Sequence, residues 1–245
     1  MAAELDKSRE EADNTRAIIA RVLGMEHFST PTSSASPETP IVTEQPTLRK
    51  NFTDAEKKEL IAYGARIYTP YGTIPDQKAY RDGKGKPSFA NLRDLVYPVP
   101  DATAKEVEVA IFPAPDRAFV PGSFGQNVTQ LQELVAADAA DLRRGLGLTG
   151  IGEIIPEDVA TITGIVFLHE EATGEWLIGD KYAAAQEGLS WVFAITENPT
   201  NSSGSHVASV GYSGPKHGVH LGKCLRDEGD RHTGVLRMIV PIETQ

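Results

Sequence analysis

Residues 156–174, PEDVATITGIVFLHEEATG, decide the fold, because the apolar run Ile165–Leu168 reads as a buried strand or as the middle of a helix. The punctuation around the run favours the helix. Pro156 suits a first helical turn, Glu157 and Asp158 complement the positive end of a helix dipole, and Gly174 suits a left-handed stop. A second helix is expected upstream. Asn127 can cap a run to Arg144, with Val128, Leu131, Val135, Ala139, Leu142 and Leu146 on one face and Gln130, Glu133, Asp141 and Arg144 opposite.

Beyond residue 174 the pattern turns β-prone. Glu175–Ile178, Ser190–Thr196, His206–Tyr212 and Val235–Ile242 are short strand-like runs. They are separated by Asn198–Gly204 and by the Gly/His tract His217–Cys224, both of loop composition. Glu106–Phe112 alternates, with Val107, Val109 and Ile111 to one side, and predicts a half-buried strand. Residues 67–100 are dense in Pro, Gly and Tyr and predict short elements only. Helices ahead of strands predict an α+β fold: helices in the N-terminal half packed on a small, mainly antiparallel C-terminal sheet with long loops.

Three segments are expected. Residues 1–28 carry a helix over 3–23, with Leu5, Ala12 and Ile19 at heptad spacing and Ser8 and Thr15 weakening the seam, so oligomerisation through it has slender support. Residues 29–50 are a Ser/Thr/Pro-rich linker. The globular domain spans 51–245 and opens on Thr53-Asp54-Ala55-Glu56, a capping-box arrangement.

Acidic residues outnumber basic ones 34 to 24, for a net charge of −10. The densest basic stretch, Arg81 to Lys86, holds three cations and is interrupted by Asp82, so nucleic acid is not an expected partner. One cysteine cannot form an internal disulfide, Met1–Asp13 is charged where a secretion signal needs an apolar run, and no run is long enough for a bilayer. A cytoplasmic protein with no membrane partner is the expectation.

Chemistry concentrates in His217-x2-His220-x3-Cys224, with His232 eight positions on. Zinc takes imidazole and thiolate ligands, so a small zinc-dependent hydrolase is one reading, with Asp227 or Glu228 activating water. The other reading makes the tract a loop rimming a binding surface, with Trp176, Trp191, His206, Tyr212, His217 and His220 as contact residues and Cys224 a small buried apolar side chain.

Three further features resemble functional motifs without completing one. Pro121-Gly122-Ser123-Phe124-Gly125 lacks the first glycine of a nucleophile elbow. Gly83-Lys84-Gly85-Lys86-Pro87-Ser88 lacks the spacing of a phosphate loop, and His169 falls on an apolar helix face beside Glu170 and Glu171. With no complete catalytic constellation, the favoured expectation is a non-enzymatic binding or interaction protein without a cofactor, its partner a protein or small molecule.

Overall fold

The computed structural model describes residues 47–91, 101–186 and 189–244; of Asn91 and Tyr212 only the backbone is described. The expected N-terminal helix and residues 29–46 of the expected linker lie outside the described residues. Gln45–Gln245 forms one compact unit.

The capping box at Thr53 starts helix α1 (Asp54–Ala62), with the Thr53 hydroxyl accepting from the Glu56 amide and the Glu56 carboxylate accepting from the Thr53 amide. Strand β1 (Arg66–Tyr68) follows, then helix α2 (Ile74–Gly83). A second capping box, Thr73 with Asp76, opens α2 inside the stretch where only short elements were expected. Next come β2 (Phe89–Asn91) and β3 (Val109–Ile111). Helix α3 (Val128–Leu146) is capped by Asn127 and buries Val128, Leu131, Val135, Ala139 and Leu142, the expected face. Strand β4 (Ile151–Glu153) leads to α4 (Val159–Thr173), which starts from Asp158 and stops at Gly174 in the left-handed region, so the run Ile165–Leu168 is helical. Pro156 stands two residues before the cap. The rest is α5 (Asp180–Ala184), β5 (Phe193–Pro199), β6 (His206–Gly214), β7 (Gly218–Leu225), β8 (Thr233–Gly234) and β9 (Met238–Pro241).

The class is α+β, with two sheets in place of one. The first is antiparallel, in the order β1-β3-β9-β4, and recruits β9 from the far end of the chain. The second, β2-β7-β6-β5-β8, is mixed: β5, β6 and β7 are antiparallel, while β2 and β8 run parallel to their neighbours. Helix α4 is buried nearly all round because it serves both sheets. Its Val159, Ile162, Ile165 and Val166 share one core with Val109, Ile111, Met238 and Val240 of the first sheet and Ala194, Ala208, Val210 and Leu221 of the second. Helix α3 also reaches both: Leu131 and Val135 pack with Ile195, Val207 and Cys224, and Leu142 packs with Ile151 and Ile239.

Four expectations are corrected. Thr47–Lys50 is not linker: Leu48 bridges Ile242, and Arg49 donates to the carbonyls of Gly150 and Ile242 and to Glu56. Glu106–Phe112 shortens to a fully buried central strand over Val109–Ile111, with Glu108 turned aside to Lys57 and the Phe52 amide. Glu175–Ile178 is the connection into α5, its backbone turned by Ile178 at φ 60°. The Gly/His tract is a strand, β7, because Val219 and Leu221 alternate into the core and Gly222 lets the Phe193 ring lie across the sheet. Among the described residues no helix is long and apolar enough to cross a membrane.

Candidate functional site

Making β7 a strand fixes where the tract's side chains go. His217 is exposed in the turn that precedes β7. The ring of His220 meets Phe193 edge-on at 5.7 Å. Cys224 lies four residues further along the strand, about 13 Å away at ordinary strand rise, with its Sγ 3.9 Å from the Val207 carbonyl. His232 is elsewhere, stacked on Trp191 at 5.0 Å and 17°. Zinc ligands sit about 2.0–2.3 Å from the metal, so His220 and Cys224 cannot share one in this arrangement. Among the described residues no three His, Cys, Asp or Glu side chains are grouped to hold a metal ion.

The end of β7 does build a cleft. His206, Lys223, Cys224, Leu225, Glu228, Gly229 and Asp230 surround a volume of about 290 Å³. Its walls are pinned by backbone contacts. On one side Gly229 presses so closely on Gly125 that an added Cβ would stand 1.9 Å from the Gly125 carbonyl oxygen, and the Gly125 amide donates to the Asp230 carbonyl. On the other, Arg226 donates to the carbonyls of Gly204 and Glu197 and holds the loop before β6. His206 stands there with Nδ1 within 3.2 Å of Asn201 and 3.1 Å of Ser205.

Asp230 links the cleft to an aromatic platform. Its Oδ1 accepts from the His232 amide and lies 3.4 Å from His232 Nδ1, and His232 in turn backs the Trp191 indole, which is 46 % exposed. Leu225 adds apolar surface at the rim, 40 % exposed. Burial pushes the Cys224 thiol up to about 11, so it is protonated at neutral pH and is a poor nucleophile.

The expected contact residues therefore divide. Trp191 and His206 belong to the platform and the cleft, and His220 lies on β7 against Phe193. His217 is in the turn at the opposite end of that strand, and Tyr212 lies on β6. The ring of Trp176 packs on Phe167, with the buried Arg81 guanidinium 5.3 Å from its centre. Lys223, Leu225 and Gly229 went unread as site residues, since only the pairing of β6 with β7 carries Leu225 opposite His206.

The motif-like stretches have structural roles. Ser123 is fully buried, and its Oγ accepts from the Val235 amide. In the Gly83–Ser88 turn, Arg81 closes the loop through the Pro87 carbonyl, while Lys84 and Lys86 pair with Glu171 and Glu170. His169 is buried against the Tyr68 hydroxyl. Comparison with known protein families, with characterised proteins and with solved structures finds no match.

Proposed function

We propose that the chain is a non-enzymatic binding protein of the cytoplasm, a globular domain on an N-terminal tether, and that its contact surface is the Trp191–His232 platform with the adjoining cleft. One observation carries this reading: a half-exposed indole stacked on an imidazole, next to a cleft lined by two carboxylates and one lysine. Aromatic faces and fixed polar groups are what small-ligand sites use. Glu228 and Asp230 outnumber Lys223 in the lining and favour a ligand that joins a flat apolar part to a cationic group, and the net charge of −10 disfavours nucleic acid. Zinc hydrolysis has no support in the spacing of His220 and Cys224.

The test uses Trp176→Phe, which leaves Trp191 as the single indole of a chain with two tryptophans. Phenethylamine should shift its emission in the millimolar range, phenylacetate should not, and Asp230→Asn should weaken the amine about two- to fivefold, the worth of one partly exposed charge pair. Equal responses to amine and acid, or none to either, would remove the reading.

A further inference from the structure

Glu153 closes strand β4 with a side chain that is 0 % exposed, and among the described residues neither carboxylate oxygen has a hydrogen-bond partner. Two charged groups face it. Asp138 comes from the middle of α3, and Arg237 from the residue ahead of β9. Arg237 is committed to Asp138, its Nε donating at 2.7 Å and its terminal nitrogen at 2.5 Å, one to each carboxylate oxygen. The same Nε is 3.7 Å from Glu153 Oε1, beyond hydrogen-bond reach. Arg143, the next cation along α3, donates to the Ile151 carbonyl. One guanidinium thus stands between two carboxyl groups and satisfies one of them.

An ionised carboxylate buried without donors carries a large desolvation cost, whereas a protonated carboxyl brings its own donor and needs only an acceptor. Asp138 is such an acceptor. We propose that Asp138, Glu153 and Arg237 form a pH-operated clasp: Glu153 keeps its proton and donates it to Asp138, and loss of that proton as pH rises loosens α3 from the first sheet. Burial first, and the Asp138 carboxylate second, push Glu153 well above the usual carboxylate range, against the weaker pull of Arg237.

The position gives the clasp reach. Helix α3 packs on the second sheet through Leu131 and Val135 and on the first through Leu142, and Asp138 lies between those two contacts. Releasing it frees the stretch that covers Val207 and Cys224. The inference is independent of the ligand reading.

Because the folded pKa is raised, the native state holds more protons than the unfolded chain from the ordinary carboxylate range up to the folded value. Stability from this group is therefore full at the acid end of that window and falls as pH rises through it. The test is urea unfolding of the full chain and of Glu153→Gln from pH 4.5 to 9. The amide of glutamine donates to Asp138 at every pH, so the difference between the proteins isolates Glu153. The two should match at the acid end, and the variant should have the higher midpoint at pH 9. In native-state hydrogen exchange, corrected for intrinsic rates, α3 amides should lose protection with rising pH in the parent and keep it in the variant. Asp138→Asn provides a second check: with the neighbouring charge removed, Glu153 should titrate lower, so the fall in stability should end at lower pH and be smaller in total. Parallel profiles for parent and Glu153→Gln, or an Asp138→Asn profile that does not move, would overturn the clasp.

Discussion

The imidazole of His169 is 1 % exposed, with Nδ1 2.8 Å from the Tyr68 hydroxyl and Nε2 unpaired among the described residues. Burial, helped by Arg66 and Lys181, holds its pKa down to about 4, against a smaller pull from Glu175. The folded state keeps the ring neutral while the unfolded chain takes a proton below about 6.5, so this stability is present above that value and is lost as pH falls toward 4. The sign is opposite to that at Glu153. At pH 5 the loss should be about 1–2 kcal/mol relative to pH 7. His169→Gln, which can still meet the Tyr68 hydroxyl, should narrow the gap between urea midpoints at pH 5 and pH 7; an unchanged gap would mean that other groups set the acid limit. His169 and Cys224 were legible in the sequence as core residues. The carboxyl pair was not, although Asp138 sits at i+3 from Val135 on the apolar stripe of α3 and Glu153 lies between Gly152 and Ile154, so an acid on an apolar face was the available signal.

Helices α3 and α4 were readable because their ends are written locally: Asn127 and Asp158 cap and Gly147 and Gly174 stop, and in α3 the buried positions also follow a helical period. Strand β7 was not, since Gly218-Val219-His220-Leu221-Gly222-Lys223-Cys224 is poor in β-branched residues and becomes a strand only by pairing with β6 and β2. Its glycines are required by packing. Gly218 has φ 74°, and a Cβ there would stand 2.3 Å from the Ser88 carbonyl oxygen, where β2 joins the sheet. Gly218→Ala should therefore cost more than about 2 kcal/mol, from left-handed strain and backbone displacement together. Gly214, its partner across the hairpin, has open space around it and no positive φ, so Gly214→Ala should stay within about 0.5 kcal/mol. Equal effects in urea denaturation would show that the tract is held by something other than close approach to β2. The same pairing explains the partial reading of the site: Trp191, His206 and His232 stood out by residue type, but their neighbours along the cleft depend on register.

At the scale of the whole molecule, the described ends of the compact unit Gln45–Gln245 close on each other. The Arg49 amide donates to the Pro241 carbonyl and the Glu243 amide to the Thr47 carbonyl, so the first described residues run beside the last. Arg49 adds three side-chain bonds, to Ile242 at 2.8 Å and to Glu56 and Gly150 at 2.7 Å each. A domain boundary at residue 51, natural from the capping box alone, cuts this strap away and leaves the largely buried Glu56 carboxylate without its cation. Losing one charge-assisted pair and the backbone bonds should cost about 2–4 kcal/mol, or roughly 5–15 °C of melting temperature for a domain of this size. The fragment 45–245 should melt as the full chain does, and 51–245 should fold but melt lower by that amount, with Arg49→Ala in the full chain recovering part of the drop. Circular dichroism melts decide it. If 51–245 and 45–245 melt together, the strap is ornamental and the tether reaches to residue 50; if 45–245 also melts low, residues before 45 support the fold and the tether reading fails.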